Sequence, residues 1–150
     1  MRLEKESLRS EIAAWAVTSA AGSSAWFDRG FVTYTNASKV EMLGVSQATL
    51  AAHGAVSVQT AAEMALGVLA HAPLATVAGS ITGIAGPGGA VPGKPVGTVC
   101  FGFARRTASG APVVETAVEH FSGDRELVRL QSVRRALQGL IAAVSAKAPD

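Results

Sequence analysis

Charge is scarce in this chain of 150 residues: 16% are Asp, Glu, Lys or Arg, and the formal net charge is +2. No Lys/Arg cluster with interleaved aromatics occurs, and aromatics make up only 5% of the chain. The footprint of a nucleic-acid binder is therefore missing. A single cysteine, Cys100, excludes an internal disulfide and fits a reducing, cytoplasmic compartment. It stands in the middle of an apolar run and reads as a buried, inert thiol rather than a nucleophile. His53, His71 and His120 lie far apart without companions at ligand spacing, so no metal centre is expected. The opening Met1-Arg-Leu-Glu-Lys-Glu6 carries acids and no apolar core, which argues against a signal peptide, and no apolar run approaches the length of a membrane span.

Hydrophobic residues, by contrast, make up 49% of the chain, enough for a real core in one domain spanning 1–150. Residues 7–19 read as a helix, with Leu8, Ile12, Trp15 and Ser19 at helical spacing, Ser7 as a cap and Gly22 as a left-handed stop. Phe31–Thr35 alternates like a strand. Asn36 is the expected cap of a helix over 37–43 closed by Gly44. Ser46 opens another over 47–52 ended by Gly54, and Ser57 opens a longer one over 58–71. Two apolar runs, 74–81 and 96–104, read as neighbouring buried strands, and 113–121 as a third hairpinned to the second. The last helix, from about 124 to 146, is expected to turn Leu127, Leu130, Val133, Leu137, Leu140, Ile141 and Val144 to the core, with Arg125, Arg129, Arg134 and Arg135 elsewhere on the wheel. Strands interspersed with helices predict an α/β sandwich whose sheet has mixed strand directions.

The loop between the first two of these runs, Thr82 to Pro95, is dense in glycine. Glycine lets a ligand approach the main chain, and long ordered loops are commonly functional, so a small-molecule pocket is expected at this sheet edge. Gly88-x4-Gly93-Lys94 imitates a phosphate-binding loop, but Pro95 has no hydroxyl for a magnesium ion and a strand follows where a helix is needed. Lys94 remains either a point charge for an anion or a solvated loop lysine. His53 reads as a residue of a helix C-terminus, and Glu4, Glu6 and Glu11 as a solvated face. One further constellation is Gly22-Ser23-Ser24, Tyr34 and Lys39. A serine on a tight turn can be a nucleophile, and a partly desolvated lysine beside a tyrosine hydroxyl can take its proton. Spacing alone favours the plainer reading: Ser24 as a helix cap, Tyr34 as an edge aromatic and Lys39 as a surface lysine.

A resemblance shifts that balance. Ala21-Gly-Ser-Ser-Ala-Trp-Phe-Asp-Arg-Gly-Phe-Val-Thr-Tyr-Thr-Asn36 with Lys39 resembles the core motif of the CinA C-terminal domain family. Leu43-Gly-Val45, Gly54-Ala-Val-Ser57, Thr82-Gly-Ile-Ala-Gly-Pro87, Lys94-Pro-Val-Gly-Thr98 and Phe121-Ser-Gly-Asp-Arg125 continue the match in order. The resemblance implies a three-layer α/β/α sandwich and nicotinamide-nucleotide amidohydrolase activity, which converts nicotinamide mononucleotide to nicotinate mononucleotide and ammonia. It implies Ser24 as nucleophile, with Tyr34 and Lys39 activating it and moving its proton to the leaving ammonia. It also places Thr82, Gly83, Ile84, Ala85 and Gly86 along the nucleotide pocket, with Lys94 as a further substrate contact and Arg125 for charge-assisted bonds to the 5′-phosphate. No cofactor or metal is needed for this chemistry.

The chain departs from the family at its front. Of an expected Ala-Glu-Ser-Cys-Thr-Gly-Gly motif only Glu6-Ser7 is kept, with Leu8-Arg-Ser-Glu11 where Cys-Thr-Gly-Gly is expected, and a preceding helix and strand are missing from this sequence. The competing expectation is thus an inactive paralogue, a nucleotide-binding or oligomeric interaction module. The partners expected are a small pyridine nucleotide and further copies of the chain, with no nucleic acid and no membrane.

Overall fold

The structure, a computed structural model, describes residues 8–146, with side chains described from residue 13 onward. Ser7, the expected cap, and the Glu6-Ser7 remnant lie outside the described residues. The chain runs through α1 (Leu8–Thr18), a 3-10 turn (Ser23–Ala25), an extended segment, α2 (Asn36–Leu43), α3 (Gln47–His53) and α4 (Val58–His71). It continues through β1 (Val77–Gly83), β2 (Thr98–Arg106), β3 (Pro112–His120) and α5 (Arg125–Ser145).

Local chemistry sets most of these limits. Ser46, Ser57 and Asp124 each accept a backbone N–H of the following first turn, from Ala48, Thr60 and Leu127 respectively. Gly44 closes α2 in the left-handed conformation, its N–H returning to the carbonyls of Lys39 and Val40. The cap of α2 is Thr35 rather than Asn36, because a serine three residues on, Ser38, completes a reciprocal capping box with it. Gly22 is left-handed at φ 82°, but it leads into the 3-10 turn instead of closing α1. Trp15, one of the residues at helical spacing, is exposed, and the small residues beside it form the half-buried side of α1.

The three strands form one sheet in the order β1-β2-β3, and both pairings are antiparallel. Val77 pairs with Arg105 and Gly83 with Val99, while β3 folds back on β2 as the expected hairpin, Thr98 opposite His120 and Arg106 opposite Pro112. The α/β fold stands, but the expected mixture of strand directions is not found among the described strands. The hairpin that was to supply the mixture joins a β1 that is itself antiparallel to β2, and Phe31–Thr35, expected as a strand, is not one: the carbonyls of Thr33 and Tyr34 accept from Lys39 Nζ. β1 begins three residues later than the apolar run suggests, because Pro73 and Leu74 form a turn that leaves Leu74 exposed.

Helices cover both faces of the sheet. Ala78 and Ala104 pack with Ala65 and Leu69 of α4 on one face. Ser80 Oγ donates to the Ala61 carbonyl at 2.6 Å and fixes that contact. On the other face Val99, Phe101 and Phe103 of β2 meet Val128 and Ala136 of α5. The sheet supplies the bulk here, so α5 presents small residues: Val128, Ser132, Ala136 and Gly139 are buried, whereas Leu127, Leu130, Ile141 and Val144 are exposed. The expected core stripe is therefore rotated; Val133 is buried, and Leu140 is partly buried against the same core. Gly139 shows why. A Cβ there would lie 2.1 Å from the Phe103 ring, so only glycine admits this approach.

Candidate functional site

The segment between α1 and α2 carries the three expected catalytic residues. Ser24 is exposed within the 3-10 turn. It is not a helix cap, since Gly22 holds that place and no side chain caps the turn. Tyr34 is exposed too, at 54%, on backbone that belongs to no strand. Lys39, in the first half of α2, is only 5% exposed. Its Nζ donates to the carbonyls of Thr33 at 2.7 Å and Tyr34 at 3.2 Å. Lysine is almost never buried unless its ammonium is satisfied, and here the backbone just ahead of α2 does this. Lys39 is thus drawn to the Tyr34 backbone, while Ser24 stands ten residues upstream on its own turn. All three plainer expectations (cap, edge-strand aromatic, surface lysine) fail.

The glycine-rich segment is ordered by its own bonds. Thr82 Oγ1 donates to the Ala55 carbonyl at 2.7 Å, tying the end of β1 to the α3–α4 connection. Its one hydroxyl proton is therefore engaged, leaving the oxygen as an acceptor. The Ile84 N–H is likewise engaged, by the Thr98 carbonyl at 2.8 Å. Ala85 and Gly86 are buried, Gly83 and Ile84 half-buried. Gly86 is left-handed at φ 84°, and its carbonyl accepts from Arg125 Nη1 at 2.7 Å. Pro92-Gly93 turn the loop tightly, with Val91 and Lys94 bonded to each other in both directions and Gly93 at φ 77°.

Lys94 is neither solvated nor idle: its Nζ donates to the His53 carbonyl at 2.7 Å, at the negative end of α3. Two of its three protons remain for a ligand. Here, beside the loop, an open cleft of about 480 Å³ lies between the start of α4 and the sheet, lined among others by His53, Ser57, Lys94, Cys100 and His120. Of the expected substrate-contacting residues only Lys94 lines it; Thr82, Gly83, Ile84, Ala85, Gly86 and Arg125 do not. A second cleft of about 480 Å³ lies between α2 and α3, flanked by Asn36, Glu41 and Gln47. Ser24, Tyr34 and Lys39 line neither. Cys100 is buried, and burial pushes its thiol above the ordinary 9.0, an effect the charge of Lys94 partly opposes. Among the described residues no group of three or more His, Cys, Asp or Glu is placed to hold a metal ion, and no helix is long and apolar enough to cross a membrane.

Two arginines of α5 escaped the sequence reading. Arg135 is paired with Glu119 at 3.0 Å and lies 5.7 and 5.5 Å from the ring centres of Phe101 and Phe103. Arg129 buries its Nε without any hydrogen-bond partner. Its spacing of four from Arg125 was the available signal, hidden by the solvent-facing look of an arginine-rich helix.

Comparison with known proteins matches these features to a family. The CinA C-terminal domain profile matches residues 6–144. The chain is 59% identical over 133 residues to nicotinamide-nucleotide amidohydrolase PncC of Enterobacter agglomerans, covering 89% of this chain and 78% of that protein. It is 56% identical over 124 residues to the PncC of Escherichia coli K12, covering 83% and 72%. Among solved structures, the competence/damage-inducible protein CihA of Agrobacterium tumefaciens superposes with a TM-score of 0.80 at 45% identity, over 93% of this chain and 82% of that one. A CinA superfamily protein of Escherichia coli gives 0.80 at 40% identity, over 90% and 75%. A lysine buried on the Tyr34 backbone, a glycine loop clamped to α5, and matches along nearly the whole chain lead to one conclusion: the chain belongs to the CinA C-terminal domain family.

Proposed function

We propose that the chain is a nicotinamide-nucleotide amidohydrolase that hydrolyses the carboxamide of nicotinamide mononucleotide to nicotinate mononucleotide and ammonia. The observation that carries this reading is the burial of Lys39 against the Thr33 and Tyr34 carbonyls, with Ser24 and the Tyr34 ring exposed, in a relative of two PncC enzymes. Ser24 Oγ attacks the carboxamide carbon as its proton passes to Lys39, directly or through the Tyr34 hydroxyl. The C–N bond then breaks, the proton leaves with the nitrogen as ammonia, and water hydrolyses the resulting ester on Ser24. Main-chain groups from Gly83 to Gly86 border the nucleotide, Thr82 offers its oxygen, and Lys94 and Arg125 add positive charge. None of these steps calls for a metal or a cofactor.

The setting proposed is cytoplasmic, with no nucleic-acid or membrane partner, and homo-oligomeric. The row of exposed apolar residues on α5, Leu127, Leu130, Ile141 and Val144, supports association. The test is ammonia release from nicotinamide mononucleotide, with Ser24→Ala alongside. Turnover by the parent chain and its loss in a folded variant is the expected result. Absence of turnover in a folded parent chain that still binds the nucleotide would point to the inactive binding module instead.

A further inference from the structure

We propose that the cleft beside Lys94 is a binding site for the phosphate group of a small organic monoester. The assignment stands on the chemistry of the cleft and not on the amidase reading, since Ser24, Tyr34 and Lys39 line no part of it. The cleft, about 480 Å³, opens where the end of α3, the first turn of α4, the loop before β2 and the end of β3 meet. That volume is in the range of small-molecule sites.

Its charge is of one sign. No Asp or Glu stands among the described residues that line it, whereas Lys94, His53 and His120 all do. Strand alternation accounts for this on β3: Val118 and His120 face the cleft, while Glu119 between them turns to the opposite face and pairs with Arg135. Glu63, one turn along α4 from Gln59, is engaged by the Ser46 N–H and the Thr49 hydroxyl. An anion entering here therefore meets no carboxylate. Lys94 is held in advance: its bond to the His53 carbonyl at 2.7 Å fixes the ammonium and leaves two protons for a ligand. Among the described residues neither the His53 nor the His120 ring has a hydrogen-bond partner, so each keeps an N–H to offer. Val58 and Gln59 line the cleft as well, at the positive end of α4, with N–H groups that no carbonyl of their own helix can reach. Donors spread over such an arc suit the three oxygens of a phosphate better than the two of a carboxylate. The apolar walls of Ala52, Val56 and Val118 suit the organic remainder of the ester.

Thermal unfolding of the parent chain, Ser24→Ala, Lys94→Met, Lys94→Arg and His120→Glu is titrated with inorganic phosphate, ribose 5-phosphate and ribose. Sodium chloride at matched ionic strength is the control, and each chain's shift is read from its own midpoint. Expected is stabilisation of the parent and of Ser24→Ala by both phosphates beyond the chloride control, and none by ribose. The apparent Kd should rise about tenfold in Lys94→Met and in His120→Glu and be largely restored in Lys94→Arg. His120 is exposed and takes no part in the bond that holds Lys94, so weaker binding in His120→Glu cannot come from a displaced α3. Steady-state ammonia release then distinguishes two sources of the phosphate. A raised KM for nicotinamide mononucleotide in His120→Glu identifies the phosphate of the substrate; an unchanged KM with phosphate binding lost identifies a separate phosphorylated compound. No stabilisation of the parent by either phosphate beyond chloride, an effect of ribose equal to that of its phosphate, or phosphate binding unchanged in both Lys94→Met and His120→Glu overturns the proposal. If no ammonia is released while phosphate binding still depends on these residues, the amidase reading fails and the anion site stands.

Discussion

Replacing Gly139 by alanine places a methyl carbon 2.1 Å from Phe103 Cζ and 2.3 Å from its Cε1. Ordinary carbon contacts fall near 3.5–4.0 Å, so α5 or the ring must move by well over an ångström. The ring has little room. Phe103 is 8% exposed, stacks on Phe101 at 6.2 Å between centres, and lies under the guanidinium of Arg135. Overpacking at the upper end of the usual range costs about 3 kcal/mol. Alanine returns about 1 kcal/mol through its better helix propensity. The net expectation is a loss of about 2 kcal/mol, or about 6 °C in Tm for a domain of this size. Thermal and urea unfolding of the parent, Gly139→Ala, Phe103→Leu and the double variant measure it. The double variant should show a favourable coupling of about 1 kcal/mol, because the shorter side chain makes room for the methyl. A Gly139→Ala chain as stable as the parent, or more so, would refute the idea that the aromatic side of the sheet dictates the small-residue face of α5.

Two further perturbations probe other parts of the account. Lys94→Met removes the ammonium from the His53 carbonyl while keeping the stem, and should lower stability by about 1 kcal/mol, read by urea unfolding. An unchanged midpoint would mean the lysine does not hold the end of α3. The Cys100 thiol has its folded-state pKa raised by burial, so it is stabilising in its neutral form: that contribution is full below the unfolded value near 9.0 and is lost as pH rises through the folded value. The parent should therefore lose stability above about pH 9 faster than Cys100→Ala, and identical alkaline slopes would contradict the burial assigned to the thiol.

Much of the fold was legible because it is written in local chemistry. Ser46, Ser57, Asp124 and Gly44 act within a turn of where they stand, and the strands announce themselves as valine- and phenylalanine-rich runs. What stayed hidden depends on a partner distant in sequence. The face of α5 was misread because Leu127, Leu130 and Val144 make a convincing apolar stripe, whereas the burial of Gly139 and Ala136 is set by Phe101 and Phe103 of another element. Phe31–Thr35 has strand composition, but whether extended backbone joins a sheet depends on where its carbonyls go, and two of them go to Lys39. The burial of Lys39 and the engagement of Thr82, Lys94 and Arg125 with carbonyls of Thr33, Ala55, His53 and Gly86 have no sequence signal at all.

The central claim is that Ser24 is the nucleophile of an amide hydrolysis, and trapping the covalent intermediate tests it most directly. The protein is mixed with nicotinamide mononucleotide, quenched in acid within the first turnover, digested and analysed by mass spectrometry. The account predicts an acyl ester on the peptide containing Ser24, absent from Ser24→Ala, which should also release no ammonia. Turnover that survives in Ser24→Ala, or an adduct on another residue, would contradict it.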